Sequence, residues 1–313
     1  MRRLALECGF ELAGVAQAGP LPEAEWFFEW VRLGMAGEMK YLTDHRAALR
    51  ADPRSLLPSA RSVICVGKLY NTPHPYSTEF HEPGRAWISR YAWGRDYHKV
   101  MRRGLRRLAQ RLQQDAGRPF EWRAACDSAP LLERALARQA GLGWIGKNSC
   151  LIHERSGSWY FLGELLVSLE IEPDRPAPDR CGSCTRCIEA CPTGAIVPTG
   201  QSGGPAYTVD SRRCISYLTI ELRGPIPSSL RSNLGFHLFG CDICQDVCPW
   251  NGRAPATGEP DFQPRRFAPP LEWLQALDAG GFRRSFAGTP VLRAGWEGFY
   301  RNLEAVLEAA SGR

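Results

Sequence analysis

No run in the 313 residues approaches the roughly 20 apolar side chains that would cross a bilayer. The opening residues, Met1-Arg2-Arg3-Leu4-Ala5-Leu6-Glu7-Cys8, are followed by Glu11, so that Glu7 and Glu11 interrupt the apolar stretch a secretory leader would need. Neither a membrane protein nor an exported one is expected, and a cytoplasmic, reducing setting follows. Internal repeats and low-complexity tracts are also lacking, which excludes solenoids and long disordered tails. What remains is an ordinary globular composition, 44% hydrophobic and 23% charged, long enough for two domains with a real core. The formal net charge of +6 admits an anionic partner without requiring one.

Cysteine is the residue in unusual supply, 12 in all. Cys181 to Pro192 reads CGSCTRCIEACP: three cysteines two residues apart, a fourth after three more, then proline. That is the run that wraps three corners of a [4Fe-4S] cube and lends its fourth thiolate to a second one. A stretched counterpart follows in Cys214, Cys241, Cys244 and Cys248 with Pro249. If the runs exchange their last cysteines as in two-cluster ferredoxins, Cys181, Cys184, Cys187 and Cys248 hold one cluster, and Cys191, Cys214, Cys241 and Cys244 the other. Structural zinc is the alternative, but zinc modules pair two separated knuckles instead of placing three ligands in one loop. Disulfides do not suit a reducing compartment. Cys8, Cys65, Cys126 and Cys150 have no ligand spacing and read as small buried side chains.

Along the chain, residues 1–18 read as a short helix and a strand, 22–35 as an aromatic-rich helix, and 61–68 (RSVICVGK) as a buried central strand. Residues 71–84 are loop, and a helix is expected over 97–116, ending at Gly117. On it Arg102, Arg103, Arg106, Arg107 and Arg111 share the face opposite Leu105, Leu108 and Leu112. Such a stripe is either a solvated face or an attraction for an RNA backbone. A strand over 120–125, a helix through Arg138 that stops at Gly141, and a strand or hairpin over 158–171 complete a first domain. The proline-rich joint 173–178 should be crossed by few contacts. The cluster region runs from 180 to about 250 with a glycine-rich excursion, 199–204, read as a surface insertion; helices are expected over 270–279 and 295–310.

Asp127 can be read in two ways. With Pro130 at an early helical position it is placed to cap the next helix, which would keep it ionised. Buried against an apolar surface it would instead be a proton donor.

ISRYAWGRDYH, CDSAP, GWIGKNSC, the eight-cysteine set and GCDICQDVCPWN, in that order, resemble epoxyqueuosine reductase over nearly the whole chain. The resemblance implies an α+β protein. Residues 1–175 would form a nitroreductase-like α/β cobalamin and substrate domain, 176–255 a ferredoxin-like domain with two [4Fe-4S] clusters, and 256–313 a helical extension. It implies reduction of the epoxide of epoxyqueuosine in tRNA to queuosine, the last step of queuosine biosynthesis. Electrons would pass from an external donor through the clusters to cobalamin, in a monomer. Cobalamin rests on the resemblance alone, since no Asp-x-His-x-x-Gly signature is present. Asp127 would be the proton donor, with Tyr97 and His98 as further candidates; Ser89, Arg90, Lys147, Asn148, Ser149, Ser216 and Asp242 match stretches that lie against cobalamin. Many relatives continue into helical repeats that grip tRNA. Without such repeats the Arg102–Arg111 face and the arginines at 265, 266, 283, 284, 293 and 301 would have to contribute more. Competing readings are a reductive dehalogenase, a ferredoxin-type electron carrier, and a zinc protein that binds nucleic acid.

Overall fold

The computed structural model describes residues 1–200 and 204–311, so three residues of the glycine-rich excursion, 201–203, lie outside it. Its centre is a four-stranded antiparallel sheet in the order Leu12–Gln17, Ser62–Leu69, Tyr160–Val167, Trp122–Ala125. All eight residues of Ser62–Leu69 are buried, because both faces of this strand are covered. Alternation sends Ile64 and Val66 to one face and Val63 and Cys65 to the other.

The helix Tyr97–Ala116 covers the first face with Met101, Leu105 and Leu108, each fully buried. Asp96 caps its start by accepting from the His98 N–H (3.0 Å), and Gly117 ends it at φ 62°. All five arginines of the predicted stripe are exposed, as expected of the opposite face. The helix Glu133–Gln139 covers the second face with Leu136 and Ala137. Leu132 precedes it with no side-chain capping bond, so the expectation that Asp127 caps this helix is not met. Asp127 instead sits at φ 57°, in a turn six residues ahead of the helix.

In the cysteine-rich region, short helices Arg186–Glu189 and Ile243–Asp246 lie within the ligand runs and carry Cys187 and Cys244, and Ile215–Ile220 starts directly after Cys214. The proline-rich joint does not separate two independent bodies. His237–Phe239 pairs in parallel with Trp87–Ile88, and Asn251, fully buried, accepts from the Ser158 N–H (2.7 Å). Gly157 makes that approach possible, since a Cβ there would lie 2.0 Å from Asn251 Oδ1. The terminal helices Leu271–Gln275, Ala279–Ser285 and Gly295–Ser311 close a core that takes Trp87 and Trp93 from the first region, Leu238 and Phe239 from the second, and Phe299, Leu303 and Val306 from the last. The single helix expected over 270–279 is broken there, because Asp278 starts a new one by accepting from the Gly281 N–H (2.5 Å).

Candidate functional site

Two adjoining cavities divide the eight cysteines. The larger, about 1860 Å³, has Cys191, Cys214, Cys241 and Cys244 in its wall. The smaller, about 60 Å³, is lined by Cys181, Cys184, Cys187 and Cys248. The electrostatic neighbourhoods divide in the same way. Burial and then the Cys181 and Cys184 thiolates push the Cys187 thiol up, and Cys248 is raised by burial and by its surroundings, Cys181 and Cys187 among them. In the other quartet Cys241 is raised by burial and by Cys214, and the field at Cys214 includes Cys191. Among the described residues no group of three such side chains is arranged to hold a single metal ion. The donor set fits two clusters. Backbone N–H groups of Ser216 and Tyr217 point at the Cys214 sulfur, as such thiolates require.

The same large cavity has Asp127, Tyr97 and Phe161 in its wall. Asp127 Oδ2 lies 3.2 Å from His98 Nε2, and His98 Nδ1 lies 2.6 Å from Asp96 Oδ1. Bonded to Asp127 and to Asp96, His98 is pushed up to about 9 from its ordinary 6.5, and the hydrogen bond from His98 holds Asp127 below its ordinary 3.8. Near neutral pH the arrangement is a carboxylate beside an imidazolium, with the mobile proton on His98. Tyr97 stacks between Phe161 (4.1 Å) and His98 (4.4 Å), its hydroxyl pushed up by burial and so kept as a neutral donor. Its ring and hydroxyl complete the wall around the carboxylate.

Lys147, Asn148, Ser149 and Ser216 line this cavity as well. Lys147 Nζ donates to the carbonyls of Gly182 (2.8 Å) and Cys184 (2.9 Å), tying the cavity wall to the first cysteine loop. Asn148 donates to the Cys244 carbonyl (3.2 Å), and Ser149, at φ 61°, turns its carbonyl to Arg134. Ser89, Arg90 and Asp242 do not reach the cavity. Asp242 accepts from Ser89 Oγ (2.5 Å), Arg90 N (2.8 Å) and Trp87 Nε1 (3.1 Å), while the Arg90 guanidinium is buried against Trp93 and bonded to the Thr72, His74 and Pro75 carbonyls. As cofactor contacts these three are corrected to a buried lock between the first region and the Cys241–Cys244 loop. Both Asp242 oxygens and both terminal nitrogens of Arg90 are engaged there, and Arg90 Nε is left buried without a partner.

Sequence reading missed several neighbours. Cys150, taken as inert, interacts with the Cys244 thiol, and the field at Asp127 includes Arg293 from near the chain's end. No spacing rule links residues so far apart, so no sequence signal marked them. Of the other arginines expected to face RNA, Arg301 is bonded to the Leu218, Leu222 and Gly224 carbonyls, and Arg293 is paired with Glu221 (2.6 Å). Within the stripe, Arg107 donates to the Cys8 carbonyl and Arg111 pairs with Glu7, while Arg102 reaches Ser128 beside Asp127.

A cavity of this size exceeds the roughly 300–1,000 Å³ of sites for drug-sized ligands, and its lining, more apolar than polar, beside a complete cysteine quartet fits a corrinoid. Among the described residues no helix is long and apolar enough to cross a membrane.

Two family models match the chain: epoxyqueuosine reductase QueG, DUF1730, over residues 50–128, and a 4Fe-4S double cluster binding domain over residues 180–251. The epoxyqueuosine reductase of Xanthomonas campestris is 43% identical over 316 residues, covering 100% of this chain and 86% of the relative. That of Escherichia coli is 41% identical over 311 residues, covering 98% and 79%. Among solved structures, an epoxyqueuosine reductase crystallised with an epoxyqueuosine-modified tRNA-Tyr stem loop superposes with a TM-score of 0.86 at 30% identity, covering 98% of this chain and 80% of that one. The Bacillus subtilis enzyme, solved with its aspartate-bearing catalytic loop swung out of the active site, gives 0.84 at the same identity and coverage.

Proposed function

The chain belongs to the epoxyqueuosine reductase family, and from that premise we propose how its residues reduce the epoxide of epoxyqueuosine in tRNA to the alkene of queuosine. The sum is fixed by chemistry: two electrons and two protons turn the epoxide into alkene and water. One observation carries the reading, namely that a single cavity has a complete cysteine quartet in its wall together with Asp127 and Tyr97.

Cys181, Cys184, Cys187 and Cys248, with Cys184 exposed, would hold one cluster toward an external donor, and Cys191, Cys214, Cys241 and Cys244 would hold the other at the cavity; bound there, the two would supply one-electron transfer. Cobalamin, when bound, supplies the reducing chemistry at the carbon–oxygen bonds. Lys147, Asn148, Ser149 and Ser216 are the residues that would hold it. The proton carried by His98 passes through the Asp127 carboxylate to the departing oxygen, and Tyr97 donates a neutral hydroxyl to the substrate. Residues 1–175 provide the substrate side, on a sheet of the nitroreductase kind; 176–255 are the ferredoxin-like part and 256–313 a supporting extension. Every group in this scheme comes from one chain, which supports a monomer. The exposed arginines from Arg102 to Arg106 run from the mouth of the site and offer the tRNA backbone a sequence-independent hold.

The test is anaerobic expression with cobalamin, metal analysis, and assay on epoxyqueuosine tRNA with detection of queuosine by mass spectrometry. About eight irons and one cobalt per chain with queuosine formed are expected. A chain loaded with both cofactors that leaves the epoxide intact would overturn the reading.

A further inference from the structure

Behind the Asp127 turn lies a pair of acids that the scheme above does not use. Glu164 stands in the middle of Tyr160–Val167, between Cys65 on one neighbouring strand and Ala125 on the other. It is fully buried, and neither carboxyl oxygen has a partner in strict hydrogen-bond geometry. Alternation puts it with Leu162 and Leu166, on the face covered by the helix Glu133–Gln139. The side chain it meets is Glu133, the first residue of that helix. Glu133 in turn accepts from the backbone N–H of Asp127, the residue held at φ 57°.

Burial and the neighbouring acids raise both groups, Glu133 to about 7 and Glu164 well above the ordinary glutamate range, so that Glu164 is the one that keeps its proton. Glu164 is acted on by Glu133 and Asp127, both acids; Glu133 faces Asp127 and Glu164 with Arg134 and, further off, Arg50. Cys65 and Cys126 beside them are buried and raised, hence neutral. A buried carboxylate that faces other acids and no cation does not stay ionised, whereas a neutral acid has one O–H that needs an acceptor. The acceptor at hand is Glu133.

We propose that Glu164 is held as an undissociated acid whose O–H anchors the Glu133 carboxylate, and that Glu133, by accepting the Asp127 N–H, keeps Asp127 in its left-handed turn with the carboxylate against His98. Both glutamates are positioning residues: neither touches substrate, and both act through Asp127. The inference rests on Asp127 being the proton donor.

The experiment is infrared spectroscopy of the whole protein labelled with ¹³C at glutamate side-chain carboxyls, at about pH 8, well above the ordinary glutamate range. A carbonyl band of an undissociated acid that moves with the label and disappears in Glu164→Gln is expected; a spectrum without it overturns the proposal. Turnover is then compared, because glutamine can donate an N–H where glutamate donates an O–H and methionine cannot. Glu164→Met and Glu133→Ala should lower kcat roughly ten- to a hundredfold with KM for tRNA unchanged, and Glu164→Gln should recover most of that loss. Equal turnover of Glu164→Gln and Glu164→Met would show Glu164 to be filler and overturn the proposal. Should the variants fail to fold, the band of the unsubstituted protein still decides. A fully active Asp127→Asn with the band in place would overturn the proton-donor reading instead, so the two failures are told apart.

Discussion

His98 is gripped by a carboxylate on each side, Asp96 through Nδ1 and Asp127 through Nε2. With His98 raised to about 9 and Asp127 lowered, the charged pair is intact in between; it is lost above as His98 gives up its proton, and below as Asp127 takes one. Asp127→Asn removes the carboxylate that does most to hold the proton on His98, so the imidazole should titrate nearer its ordinary 6.5, which NMR of the ring would show. The same variant should abolish turnover with iron and cobalamin retained; undiminished turnover would remove Asp127 from the mechanism. The residues alone left both roles of Asp127 open, because Pro130 three residues on imitates a helix start, and it was the resemblance of the surrounding motif that named the proton donor. Only the turn at φ 57°, which aims the side chain at His98 and away from the helix, decides against the cap.

Elements whose ends carry their own signals were legible. The helix from Tyr97 to Ala116 was readable because Gly117 marks its end and the leucines mark its buried side, and the structure adds Asp96 as the cap at its start. Residues 270–279 were misread because helix propensity runs through Asp278, whereas its carboxylate is better used capping the next turn. The last helix, Gly295–Ser311, was legible as a helix but its attachment was not. Asn302 there is fully buried and donates to the carbonyls of Thr219 (2.7 Å) and Leu238 (3.0 Å), joining it to the cysteine-rich region. Asn302→Ala strands those two carbonyls, and a loss of about 1–3 kcal/mol is expected in denaturant titration. A change within error would mean water takes over both bonds.

At the scale of the whole molecule, the cysteine spacing announced two quartets and their exchange of last ligands, since those rules are local to each loop. Which quartet meets the substrate was not announced, because it depends on how regions far apart in the chain fold together. The cavities supply the order, with Cys191, Cys214, Cys241 and Cys244 inside and Cys181, Cys184, Cys187 and Cys248 toward the surface. Cys191→Ser should therefore give protein with about half the iron, an outer cluster still reducible by dithionite, and no turnover. Loss of the outer cluster's signal instead would reverse the order. The lock formed by Asp242 with Trp87, Ser89 and Arg90 has its anchor between two inner cysteines. A polypeptide made in an iron-starved cell has no cube to shape that loop, so the damage spreads from electron transfer to the sheet-bearing half. Scarcity of iron would then show as faster proteolysis of the whole chain, beyond the loss of electron transfer.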